Sequence, residues 1–141
     1  MLFGLLPFHL EREHNMSLRS PLGQAKGLGS AKDGLHHWWA QRVTAVALIP
    51  LTIWFAFKVA VLSMADYTTV VDCIGTPWSA ALIVSLVVAA FYHAALGMQV
   101  IYEDYIGAKA VRIAAIMGTN LLLFLLAAAS IIAVVRIAVG G

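Results

Sequence analysis

The stretch 78-WSAALIVSLVVAAFYHAALGMQVI-101 contains no Asp, Glu, Lys or Arg, and its one histidine is His93. A helix rises about 1.5 Å per residue, so about 20 residues cover the roughly 30 Å of hydrocarbon in a bilayer, and this stretch is longer. No water reaches backbone groups at that depth, so the segment must satisfy them internally, as a helix does. Val43 to Met64 and Ala110 to Val135 read the same way, interrupted only by Lys58 and Arg112. Composition agrees. The 141 residues are 62% hydrophobic and 11% charged, whereas soluble domains run near half apolar and about a quarter charged. The expected fold class is therefore an all-α membrane protein with three transmembrane helices and an N-terminal cytoplasmic arm.

Working outward, residues 1–34 read as that arm, mostly irregular, and 35–141 as the three-helix anchor, with helices at about 43–64, 78–101 and 110–135. Met1 to Leu10 does not read as a signal peptide, because no basic region precedes it and Pro7 and His9 interrupt it. Pro50 is expected to kink the first helix, where neighbouring groups can take up the freed carbonyl. The flanking charges orient the chain. Arg12, Arg19, Lys26, Lys32 and Arg42 precede or open the first helix, the loop from Ala65 to Pro77 has no Lys or Arg, and Lys109 and Arg112 follow the second. Basic residues accumulate on the cytoplasmic side, which places the arm and the second connection inside and the C-terminus outside, with Arg136 a minor exception. Trp38, Trp39 and Trp78 stand where helices begin, a position suited to rings that are apolar with one polar edge.

Several functions are excluded by composition. A net charge of +2 without a basic stripe argues against nucleic acid as a partner. A single cysteine, Cys73, allows no intrachain disulfide and no cysteine-based cluster, and no glycine-rich dinucleotide fingerprint is present. Lys58, near the end of its helix, is expected to reach outward along its stem. Thr119 and Asn120 are expected to hydrogen-bond between helices.

His93 is the one histidine inside an apolar span; His9, His14, His36 and His37 all precede the first helix. Ionisable groups at membrane depth are rare and mark functional positions. Two readings stand: a neutral imidazole hydrogen-bonded to a neighbouring helix, or an axial ligand to heme iron. Gly97, four residues on, shares the His93 face. It either admits a flat macrocycle or permits close helix packing. Asp104 lies eleven residues after His93, and eleven steps of ~100° return to within ~20° of the same face, ~16 Å along the axis if the helix continues. Glu103-Asp104-Tyr105 can be a solvated interfacial turn. Asp104 and Tyr105 also have the chemistry of a quinone site, which needs a hydrogen-bond donor and a titratable group near the headgroup level.

The run His93-Ala-Ala-Leu-Gly97-Met98-Gln-Val-Ile-Tyr-Glu-Asp104-Tyr105 resembles the His-x-x-x-Gly-Met…Asp-Tyr signature of the D-type anchor subunits of succinate dehydrogenase, the small subunits of cytochrome b556 type. Upstream, Gly34-Leu35-His36-His37-Trp38-Trp39-Ala40-Gln41-Arg42-Val43-Thr44-Ala45 resembles that family's Gly-x-His…Arg-x-Thr-Ala opening of its first helix. The resemblance implies that His93 is an axial ligand to heme b, with Gly97 beside it, and that Arg42 and His36 lie near the heme propionates. It further implies that Tyr105 hydrogen-bonds a ubiquinone carbonyl, with Asp104 as its neighbouring carboxylate. A second hydrophobic anchor subunit, an iron–sulfur subunit and a flavoprotein subunit are the implied partners, and the bacterial inner membrane the implied location. The chain would not oxidise succinate by itself. A fumarate reductase anchor and a small non-heme transport or assembly protein are the alternatives.

Overall fold

The computed structural model describes residues 29–140. They form α1 (Gly29–Leu62), α2 (Tyr67–Gly75), α3 (Pro77–Tyr105) and α4 (Lys109–Ala138), with no strand among the described residues. Three of these helices are long and apolar enough to cross a membrane: Gly34–Leu62 within α1, all of α3, and all of α4. The protein is a multi-pass, all-α membrane protein. Residues 1–28, most of the expected arm with Arg12, Arg19 and Lys26, lie outside the described residues.

Three boundaries differ from the sequence expectation, each for a local reason. α1 begins at Gly29, so the end of the supposedly irregular arm is helical. Adding a residue to an existing helix is far easier than nucleating one, and the apolar span supplies the nucleus. The helix continues through Pro50 to Leu62. The connection between the first two spans contains α2, which starts at an N-cap aspartate. Asp66 accepts from the Thr69 amide (3.4 Å) and the Thr69 hydroxyl (2.6 Å), and also from the Thr68 hydroxyl. These bonds hold its carboxyl down to a pKa of about 2, the Thr68 hydroxyl contributing most. Finally, α3 runs past Ile101 to Tyr105. Gln99 Nε2 donates to Glu103 Oε1 at 2.8 Å, a pair spaced i,i+4 that supports the last turn.

α3 is the middle helix. α1 packs on one part of it and α4 on another, while α1 and α4 share no comparable contact. α2 lies across the far end against α4 and α3. There, a Cβ on Gly75 would stand 3.4 Å from the Ile137 carbonyl oxygen, a close contact between the two backbones. Lys58 Nζ reaches Cys73 Sγ on α2 at 3.4 Å, in keeping with a stem that runs toward the end of its helix. Thr76 caps α3 by accepting from the Ser79 amide, with Pro77 in the first turn, where its missing N–H costs nothing.

No described apolar side chain is buried, and Ser79, 7% exposed, is the one buried residue among those described. In water such a chain would not fold. In hydrocarbon, apolar exposure carries no penalty, and helices associate through packing and polar links. The shortest of these links are Tyr102 Oη to Thr119 Oγ1 at 2.8 Å, which joins α3 to α4, and His93 Nδ1 to Thr44 Oγ1 at 2.9 Å, which joins α3 to α1.

Candidate functional site

His93 sits near the middle of α3, part-buried where that helix meets α1. Both ring nitrogens face α1. Nδ1 is 2.9 Å from Thr44 Oγ1, and Nε2 is 3.4 Å from the side-chain nitrogen of Gln41. Gln41 and Thr44 are three residues apart, hence neighbours on one face of α1. The imidazole therefore does link two helices, as one of its two readings expects, and that role does not exhaust its chemistry. Of the two contacts the one at Nε2 is the longer and comes from a flexible amide side chain, the group that a further partner of this ring would displace.

Gly97 follows one turn later. A Cβ built there would meet Gln41 Nε2 at 3.6 Å and nothing closer, which is ordinary contact. Packing within this chain therefore leaves room for a side chain at Gly97, and the close α1–α3 approach does not depend on the glycine.

Toward the end where α1 begins and α3 finishes, the same two helices enclose a cavity of about 530 Å3. His37, Gln41 and Arg42 line it from α1, and Gln99 and Glu103 from α3. Two polar atoms there are buried without a hydrogen-bond partner, His37 Nε2 and Gln41 Oε1. A buried polar atom left without a partner costs about 1–3 kcal/mol, so both are atoms that a bound group could satisfy. The Arg42 guanidinium lies 4.4 Å from the centroid of the Trp38 ring, one turn earlier, and Trp38 in turn stacks on Trp39 at 6.0 Å. The ring holds the cation against the side of α1 while the residue stays exposed.

The residues singled out from sequence separate into groups. His93 and Gly97 lie together against α1, and Arg42 lines the cavity beyond them. His36 is exposed and outside the cavity, and it is the adjacent His37 that lines it. Asp104 and Tyr105 are in the last turn of α3, both exposed, Tyr105 at 85%. Neither lines the cavity. Because α3 is continuous, Asp104 shares the His93 face about 16 Å further along. Thr44, Gln41 and His37 had received no role of their own. The three-residue spacing of Gln41 and Thr44 is the one signal that could have placed both on the face toward His93. Thr119 makes the interhelical bond expected of it, and Asn120 borders a separate cavity of about 570 Å3 between α3 and α4.

The donor set fits a heme in one respect and limits it in another. A mid-span imidazole with a glycine one turn on, against which only the flexible Gln41 side chain stands at 3.6 Å, and an arginine nearer the surface suit a macrocycle with carboxylate substituents. Among the described residues no three His, Cys, Asp or Glu side chains gather as a metal site.

Comparison with known proteins bears on the same chain. The family model described as succinate dehydrogenase/fumarate reductase transmembrane subunit matches residues 16–134. A succinate dehydrogenase hydrophobic membrane anchor subunit from Rickettsia bellii is 34% identical over 116 residues, 82% of this chain and 93% of that protein. One from Paracoccus denitrificans is 31% identical over 121 residues, covering 86% and 93%. A succinate dehydrogenase membrane anchor subunit from Reclinomonas americana is 33% identical over 89 residues, covering 60% and 73%. No solved structure matches significantly.

Proposed function

This chain belongs to the succinate dehydrogenase/fumarate reductase transmembrane subunit family as a membrane anchor, and from that premise we propose that it binds heme b and contributes to a ubiquinone-reducing site. His93 supplies one axial ligand to the heme iron. Arg42 pairs with the heme propionates through charge-assisted hydrogen bonds, with His36 near the same charged edge and Gly97 leaving room beside the ring. Tyr105 donates a hydrogen bond to a quinone carbonyl, and Asp104 passes protons to it. Heme, when bound, supplies one-electron redox chemistry at its iron.

The placement of His93 carries this reading. It is a part-buried imidazole at mid-span, beside a glycine whose absent side chain the chain's own packing does not require. Quinone reduction adds two protons, so its site belongs near the headgroup level, and the last turn of α3 offers a hydroxyl and a carboxylate there. The partners are a second hydrophobic anchor subunit that provides the other axial ligand, an iron–sulfur subunit and a flavoprotein subunit. The membrane is the bacterial inner membrane, with the N-terminus cytoplasmic and the C-terminus periplasmic. The relatives named are succinate dehydrogenase subunits, which favours succinate oxidation over fumarate reduction. Family membership leaves a transport or assembly role without support.

A reduced-minus-oxidised absorption spectrum of the complex purified with its partners tests the heme assignment. The wild-type complex should show a b-type band that His93→Ala abolishes or shifts. The chain purified alone should hold no bis-histidine heme, because it lacks a second intramembrane histidine. A wild-type complex without the band, or a band indifferent to His93→Ala, would overturn the assignment.

A further inference from the structure

The Thr44 hydroxyl has three neighbours: the Ala40 carbonyl oxygen at 2.8 Å, the Gln41 carbonyl oxygen at 3.0 Å, and His93 Nδ1 at 2.9 Å. It carries one hydrogen and two lone pairs. A carbonyl oxygen can only accept. If the hydrogen went to His93, both carbonyl oxygens would face the hydroxyl oxygen at hydrogen-bond distance with no proton between them. If it goes to a carbonyl, as a helical threonine's does when it bonds back to the preceding turn, the lone pairs remain to accept from an N–H on His93. Only a hydrogen shared between the two carbonyl oxygens, with a lone pair of the hydroxyl accepting from His93, accounts for all three distances.

We propose that Thr44 is a positioning residue that holds His93 in the Nδ1–H tautomer, leaving Nε2 as the bare nitrogen available to iron. This rests on the heme reading above and extends it to a residue with no role assigned so far. A neutral imidazole has one protonated and one bare nitrogen, so fixing the first determines the second. In that tautomer Nε2 accepts from the Gln41 amide nitrogen at 3.4 Å, a long contact from a flexible side chain that has to swing aside for iron to reach the same lone pair. The arrangement is well held. The Thr44 side chain is branched at Cβ, which restricts its rotamers, and it is tied to its own helix. A histidine ligand whose second nitrogen donates to an oxygen is also oriented and made more basic, and such outer partners commonly carry ten- to a hundredfold in metal affinity.

Three variants of the assembled complex separate positioning from packing. Thr44→Val keeps the shape and removes the hydroxyl; Thr44→Ala removes both; Thr44→Ser keeps the hydroxyl and loses a methyl. Heme content and the heme midpoint potential are the readouts. If Thr44 positions His93, Val and Ala should weaken heme retention about ten- to a hundredfold. They should also raise the midpoint, because a less basic ligand stabilises oxidised iron less, while Ser stays close to wild type. Complexes of Val and Ala that assemble without heme, beside a loaded Ser complex, support the same conclusion. Should Val or Ala match wild type in both readouts, or Ser depart as far as Val, the positioning role is overturned while the His93-dependent band of the wild type still upholds the heme reading. A wild-type complex lacking that band removes both.

Discussion

Tyr105 and His93 stand twelve residues apart on one continuous helix, roughly 18 Å along its axis. That separation makes the two assigned roles independently testable. Phenylalanine at position 105 keeps the ring and removes the donor, a loss of about 1–3 kcal/mol, or roughly ten- to a hundredfold in quinone turnover. Tyr105→Phe should therefore retain the heme spectrum and succinate oxidation by artificial dyes, yet lose most ubiquinone reductase activity. Asp104→Asn should slow the same step, since an amide does not pass a proton as a carboxylate does. Ubiquinone reduction at the wild-type rate by Tyr105→Phe would return Glu103-Asp104-Tyr105 to an interfacial turn. At this scale the sequence was informative wherever the bilayer makes a residue costly. His93 stands out because an ionisable group at that depth needs a reason, whereas Thr44 and Gln41 look ordinary until α1 is laid against α3.

Among the elements, α2 was not legible in the sequence. Its nine residues are too short to show a membrane pattern, and the helix depends on its Asp66 cap rather than on length. The cap carries a pH signature. The Asp66 carboxyl ionises at about 2 in the folded chain against an ordinary 3.8, the Thr68 hydroxyl bond being the largest cause. A depressed acid stabilises the fold above its unfolded value and loses that contribution as pH falls through its folded one. Protection of the α2 amides, taken as the exchange rate relative to the intrinsic rate at each pH, should accordingly be level above about 3.8 and fall as pH drops toward about 2. Asp66→Ala should exchange faster and lose the pH step; an unchanged step in that variant would show that another group controls the helix. The end of α3 makes a similar point. Charge density beyond Ile101 marks the edge of the apolar span, but a helix ends where its hydrogen bonds end, and here the Gln99–Glu103 pair carries it to Tyr105.

Taken as a whole, the three spans form an open array in which α1 and α4 both rest on α3 and no closed core exists among the described residues. Such an array suits a subunit that shares its surface with lipid and with other chains. The orientation proposed for it rests on basic residues alone. A reporter placed in the Ile106–Ala108 connection should read as cytoplasmic, and one fused after Gly141 as periplasmic. The reverse pattern would set the Asp104–Tyr105 turn on the side away from cytoplasmic iron–sulfur and flavoprotein partners, and the quinone assignment would fail with it.

The amino-acid sequence by itself determined the number of spans, their helical form, and the one histidine that lies within an apolar span. The reason is that hydrocarbon imposes length, apolarity and internal hydrogen bonding on each segment separately. Only the tertiary structure decided which nitrogen of His93 meets Thr44, that Gly97 has room beside it, and that His37 rather than His36 lines the cavity. Those depend on how far α1 is rotated and shifted against α3. In a bilayer, where every lipid-facing surface is apolar, no hydrophobic stripe records that rotation.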